Sequence, residues 1–296
     1  MKRTLLFLAT NIAVMLTLGI VTNIVFAFCG TSLEEVFGPE WSYLVVVAFV
    51  YGFLGAFISL LMSKPIAKFS TGAKTINGTE GEAERWLVET VRDLAMRANV
   101  KMPEVAIYPG AANAFATGAF KNHALVAVST EIMGQMTKEE LRAVLGHEMS
   151  HVKNGDMVTM TLVQGVLNAF VIFFSRVIAR VLSSSNDNKR SSGGLYYLLV
   201  TVLDIALGLL ASILVMAYSR RREYAADAGS AKLLGTPGPM VAALRRLGNL
   251  QPGVLPDSLR AMGIASGRRR TSLFASHPAL EDRIDALMNL PPDFRA

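Results

Sequence analysis

Four histidines and a single cysteine are all the imidazole and thiol chemistry that 296 residues supply. The lone Cys29 rules out an internal disulfide. Phe28 before it is too bulky for a lipoprotein cleavage signal, which leaves Cys29 an ordinary member of an apolar run. Charge is scarce as well: Asp, Glu, Lys and Arg make up 18% of the chain, against 52% hydrophobic residues. With a mean hydropathy of +0.39, this is the composition of a membrane protein. No basic run is interleaved with aromatic residues, so the net charge of +6 fits anionic lipid headgroups and not nucleic acid. There is no internal repeat, and nothing in the sequence sets an oligomeric state.

Four apolar runs are long enough to span a bilayer. Residues 5–28 follow Lys2-Arg3 and exceed a signal-peptide core, so they read as an uncleaved anchor. Residues 41–62 make the second span. The third covers about 157–179, charge-free to Ser175 but softened by Gln164 and Asn168, and the fourth covers 195–219. Four segments follow: an N-terminal hairpin (1–62), a soluble portion (63–156), a second hairpin (157–219) and a C-terminal portion (220–296). Lysine and arginine set the orientation. Lys2, Arg3, Lys64, Lys68, Lys74 and Arg220-Arg221-Arg222 flank one side, whereas the loop between the first two spans holds only Glu34, Glu35 and Glu40. Both termini and the soluble portions are therefore expected in the cytoplasm; Lys189 and Arg190, in the Ser/Asn/Gly-rich loop, mildly oppose this. Asp204 lies inside the fourth span, where a carboxylate is costly. Arg176 is about a turn away in depth if the helices pack antiparallel, so the carboxylate is explained by an Arg176–Asp204 pair, a substrate path or protonation.

The chemistry concentrates in TKEELRAVLGHEMSHVKNGD, residues 137–156. Thr137 with Glu140 makes a capping box, Leu141, Val144, Leu145 and Val152 keep helical spacing, and Asn154-Gly155 is a stop. His147 and His151 are four apart, about 40° of rotation and 6 Å of rise on one helix face, so both can reach one metal ion. Glu148 points aside, placed to act as a base on water and not as a ligand. That is the H-E-x-x-H arrangement of zinc peptidases. Upstream, residues 82–99 read as an amphipathic helix. Residues 105–108, 113–120 and 124–129 read as short strands broken by Pro109-Gly110 and Lys121-Asn122-His123. The expected fold is an α-helical integral membrane protein with a zincin-like α+β domain, its small antiparallel or mixed sheet beside the H-E-x-x-H helix. Asn113, Ala114, Phe115 and Ala116 form either a sheet edge that binds extended substrate or an ordinary half-buried strand. After the fourth span, residues 223–234 continue as helix, 240–247 make another, and 278–289 the last. Arg268-Arg269-Arg270 read as a solvated or headgroup-facing loop.

A catalytic zinc wants three protein ligands and an open position. The metzincin pattern needs glycine at position 154 and histidine at position 157, where Asn154 and Met157 stand, and His123 and His277 are the only other histidines. Glu223 and Asp227, four apart in RREYAADAG, offer a third ligand and a hydrogen-bond acceptor for a ligand histidine. The competing reading is an exposed acidic pair beside three arginines. Two imidazoles with a carboxylate suit zinc, one ion per chain. An intramembrane protease is disfavoured, because Lys138, Glu139, Glu140, Arg142, Lys153 and Asp156 place the motif outside the bilayer. A non-catalytic zinc scaffold is disfavoured because it has no use for Glu148.

HEMSHVKNGD, RRREYAADAGSAKL and SHPALEDRIDAL together resemble the HtpX family of bacterial membrane zinc metalloproteases, relatives of the eukaryotic prenyl-protein endoproteases. The resemblance implies His147, His151 and Glu223 as zinc ligands, Glu148 as catalytic base and Asp227 as the second acid of an E-x-x-x-D motif. It also implies Asn113 as the start of the strand beside the site. His277 would be a tail histidine that steadies the oxyanion, or else a helix N-cap ahead of Pro278. It implies a multi-pass protein of the bacterial inner membrane that cuts misfolded or damaged membrane proteins or unfolded chains during envelope stress.

Overall fold

The capped helix anticipated at residues 137–156 is present in the computed structural model, which describes residues 41–184, 192–250, 264, 273 and 275–291. The expected first span, Lys189-Arg190 and Arg268-Arg269-Arg270 lie outside those residues. In chain order the described elements are α1 (Trp41–Thr71), β1 (Lys74–Ile76), α2 (Glu82–Ala98), β2 (Glu104–Tyr108), β3 (Ala114–Thr117), β4 (Leu125–Ser129), α3 (Thr130–Gln135), α4 (Lys138–Asn154), α5 (Asp156–Ser184), α6 (Ser192–Leu234), α7 (Gly238–Asn249) and α8 (Leu280–Met288). The chain divides into two units, residues 1–59 with 161–213 and residues 60–160 with 214–296.

Three helices among the described residues are long and apolar enough to cross a membrane: Val47–Thr71, Asp156–Arg180 and Gly194–Leu234. They overlap the second, third and fourth expected spans, and all three run past their C-terminal ends. The second continues past Met62 through Pro65 to Thr71, and the fourth continues without a break to Leu234. Apolar runs mark where a helix can cross lipid, not where its backbone hydrogen bonding stops. Within the first unit Arg176 Nη1 donates to Asp204 Oδ1 at 3.2 Å. Reversing both charges is expected to restore the yield of folded, detergent-extracted protein that either single reversal lowers. Equal damage in the double variant would mean that the contact is incidental.

The second unit is built on a four-stranded mixed sheet in the order β1-β2-β4-β3. β2 and β4 are parallel, with Val105 opposite Val126, while β1 and β3 run antiparallel to their neighbours. One face carries Val126 and Val128 against Leu87, Val91 and Leu94 of α2 and Leu141, Leu145 and Met149 of α4, with Leu244 and Leu247 of α7 behind them. Each such leucine taken fully from water contributes about 1.5–3 kcal/mol. On the other face Phe115, Tyr108 and Leu125 pack with Ala67, and Lys64 and Lys68 both pair with Glu104.

Helix ends follow the capping chemistry. Thr137 Oγ1 accepts from the Glu140 N–H and Glu140 returns a carboxylate to the Thr137 N–H, an arrangement worth about 1 kcal/mol. Gly155, at φ 68, closes α4. The strand expected over 113–120 is shorter, Ala114–Thr117. Gly118 sits at φ +140, and a Cβ there would meet the His123 carbonyl oxygen at 2.6 Å, so the chain turns away where only glycine fits. β1 has no counterpart in the sequence reading: three residues are too few to show a period of two.

Candidate metal centre

Two glycines and two serines decide how closely α4 and α6 approach. A Cβ on Gly146 would stand 2.8 Å from Ser230 Oγ, and one on Gly229 would stand 2.8 Å from Ser150 Cβ. Ser230 Oγ donates across the crossing to the Ala143 carbonyl at 2.7 Å. Larger side chains would push the two backbones apart. Glu223 and Asp227, just before this crossing on α6, are thereby carried against the face of α4 that bears His147 and His151.

The two imidazoles meet edge to face with centroids 4.7 Å apart. Their Nε2 atoms are 3.1 Å apart. Glu223 Oε1 lies 3.3 Å from His151 Nε2, and its Oε2 lies 3.6 Å from His147 Nε2. The other ring nitrogens are committed: His147 Nδ1–H donates to Asp227 Oδ1 at 2.9 Å and His151 Nδ1–H to Asp156 Oδ2 at 2.6 Å. A neutral imidazole has one N–H, so the two Nε2 atoms face each other as lone pairs. At that distance they repel unless a cation sits between them. Ligands 2.0–2.1 Å from a tetrahedral zinc stand about 3.3 Å from one another, and separations of 3.1, 3.3 and 3.6 Å bracket that edge. Charge agrees with spacing. Four buried carboxylates, Glu148, Asp156, Glu223 and Asp227, stand against the guanidinium groups of Arg283 and Arg222, leaving two negative charges when all are ionised. A divalent cation neutralises them. The residues fit a metal.

Arg283, on α8, is wholly buried. Its Nε and Nη2 donate to both oxygens of Asp227 at 2.8 and 2.7 Å, and its Nη1 lies 3.5 Å from Glu223 Oε2. His277 Nδ1 is 2.9 Å from the same Glu223 oxygen. Burial pushes both acids up, but Arg283 overrides it at Asp227 and holds that carboxyl below its usual range. At Glu223, His277, His151 and Arg283 together outweigh burial and hold it well below. At Glu148 the charges of His151 and Arg283 pull the same way but do not offset burial. Burial, with the charge of Glu223 adding to it, pushes it up to about 8, and neither of its oxygens has a hydrogen-bond partner.

The structure brings together six residues named from sequence: His147, Glu148, His151, Glu223, Asp227 and His277. His277 is not a helix N-cap, since Ala279 holds that position. Asn113, Ala114, Phe115 and Ala116 lie on or beside the edge strand β3 and are all buried. Ala114 already uses its outward backbone groups: its N–H goes to Asn113 Oδ1 and its carbonyl accepts from the Ile264 N–H at 3.1 Å. Sequence reasoning missed Asp156 and Arg283. Asp156 had a signal, a carboxylate just past the helix stop after His151. Arg283 stood inside the tail motif, with nothing local to say that it is buried.

Imidazole pairs on one helix, closed by a carboxylate from another, belong to metalloproteases, and the membrane-length helices make this one a membrane metalloprotease. Comparison with known proteins gives the family. Residues 82–290 match Peptidase family M48, and the chain belongs to it. It is 53% identical over 300 residues to a protein named Protease HtpX homolog from Verminephrobacter eiseniae (strain EF01-2), covering 99% of this chain and 100% of that one. A protein of the same name from Paracidovorax citrulli (strain AAC00-1) is 53% identical over 293 residues, covering 98% and 99%. Among solved structures, the fold is similar to the crystal structure of S. mikatae Ste24p, with a TM-score of 0.58 at 19% identity over 94% of this chain. The present chain spans 65% of the length of that one.

Proposed function

We propose that the protein is a zinc endopeptidase of the bacterial inner membrane, of the H-E-x-x-H plus glutamate type, with its site and both termini in the cytoplasm. His147, His151 and Glu223 hold one Zn2+ per chain. The observation that carries this reading is the convergence of two Nε2 lone pairs and a carboxylate at tetrahedral-edge spacing. A bound zinc ion supplies Lewis acidity, polarising a peptide carbonyl and acidifying a water molecule.

The remaining work belongs to the chain. Glu148 takes a proton from the attacking water and passes it to the leaving amine. Asp227 and Asp156 hold the imidazoles in the Nδ1–H tautomer so that both Nε2 atoms point at one place. Arg283 keeps Asp227 and Glu223 ionised in a buried setting. His277, beside Glu223, is positioned near the site as a donor to the tetrahedral oxyanion. A purely structural zinc site would close with four ligands and have no spare buried carboxylate.

Membrane proteins that have misfolded, and unfolded chains, are the proposed substrates, cut as part of quality control under stress. The membrane-length helices and the lysine and arginine flanking them in the sequence support a site at the cytoplasmic membrane surface, within reach of such chains. The test is cleavage of an unstructured protein by the full-length chain in detergent. Chelator should stop it and stoichiometric zinc should restore it; cleavage indifferent to chelator would overturn the zinc assignment.

A further inference from the structure

Arg220, Arg221 and Arg222 follow the apolar stretch of α6, where positive charge serves orientation. A helix turns about 100° per residue, so the three point to different sides. Arg221 is exposed, and Arg222 pairs with Asp156. Arg220 is half-buried, and its Nη1 donates to the Leu273 carbonyl at 3.2 Å and to the Ala275 carbonyl at 2.8 Å. Nothing in the proposed chemistry uses Arg220.

Arg220, Glu223 and Asp227 are spaced i, i+3, i+7 and lie along one stripe of α6. The C-terminal segment follows that stripe in the same direction. Ala275 meets Arg220, His277 Nδ1 is 2.9 Å from Glu223 Oε2, and Arg283 holds Asp227 through two hydrogen bonds. From Arg220 to Glu223 the helix rises about 4.5 Å, and two extended residues advance about 6.6 Å. A backbone held at Ala275 therefore delivers His277 to the level of Glu223. Residues 275–279 form neither helix nor strand, so no regular hydrogen bonding of their own fixes the His277 ring. Two arginines bracket it instead, Arg220 before and Arg283 after.

We propose that Arg220 is a positioning residue for the hydrolysis: it pins the backbone ahead of His277, so that the imidazole stands beside Glu223 as a donor to the oxyanion. The inference rests on the peptidase reading above and on the part His277 has in it. An arginine kept for orientation alone leaves its donors to water and headgroups, as exposed Arg221 does. The Arg220 guanidinium is instead committed to two carbonyls 53 and 55 residues away. Hydrogen bonds with a charged donor are the strong ones.

The test compares kcat and KM for casein in detergent among full-length wild type, Arg220→Ala, Arg221→Ala, His277→Ala and the double variant Arg220→Ala/His277→Ala. Loss of one oxyanion donor costs about 10²–10³-fold in kcat, which is the expectation for His277→Ala. A misplaced group costs up to about 10²-fold, so Arg220→Ala should lower kcat about tenfold or more with KM little changed. Arg221→Ala, which removes the same charge from the same part of the helix, should keep the wild-type rate. In the double variant, loss of Arg220 should add less than about threefold to the loss from His277→Ala, because no ring is left to position. Arg220→Ala should also keep the rise in Tm on adding zinc, and quicken amide hydrogen exchange over residues 275–279 in metal-free protein. Arg220→Met, which keeps the apolar stem without the donors, carries the same expectations and gives a readout even if Arg220→Ala fails to fold. Wild-type kcat in a folded Arg220 variant beside an impaired His277→Ala overturns the positioning role, as does full additivity in the double variant or an equal loss in Arg221→Ala. A His277→Ala protein at the wild-type rate removes the oxyanion role and the positioning with it. Absence of any cleavage by wild type overturns the peptidase reading itself.

Discussion

Glu148→Gln abolishes cleavage of an unstructured substrate and leaves the metal in place. The amide has the size of the carboxyl it replaces but cannot accept the water proton, which removes general-base catalysis worth on the order of 10²–10⁴-fold. Stability should hardly change. Neither Glu148 oxygen has a hydrogen-bond partner to lose, and burial already disfavours its charge, pushing it up to about 8. The comparison is turnover of casein and thermal unfolding in detergent, wild type against variant. A variant that still cut at more than a tenth of the wild-type rate would remove Glu148 from the mechanism.

Glu223→Ala is expected to lose activity for a different reason: metal no longer binds. Two imidazoles remain where three ligands are needed. The fold should survive, because Asp227 still neutralises Arg283 through two short hydrogen bonds. Zinc dependence of unfolding separates this from general damage. At free zinc about 1,000-fold above its Kd the wild type should gain about 4 kcal/mol, seen as a rise in Tm. Glu223→Ala should show no rise at the same concentration. A variant that kept the full zinc-dependent shift would mean that Glu223 is no ligand.

The H-E-x-x-H helix was legible in the sequence because each of its signals is local: capping box, apolar spacing and glycine stop all lie within twenty residues. Glu223 and Asp227 were legible as an i, i+4 pair on a helix, though only the structure decides between a site and an exposed acidic patch. It brings them into the site because Gly146 and Gly229 let α4 and α6 cross closely. Small residues carry that meaning only once the two helices are known to be partners. Arg283 was not legible for the same reason. An arginine in an amphipathic helix reads as solvated, and its bidentate pairing with Asp227 spans 56 residues. The strand β3 was drawn too long, since the backbone angle at Gly118 is invisible in composition.

Elemental analysis of the purified full-length protein, wild type beside Glu148→Gln, reaches the central claim most directly. One zinc per chain in both proteins, with only the wild type cutting casein, is the expected result. Less than a tenth of an equivalent of any divalent metal in a wild type that still cuts would contradict it.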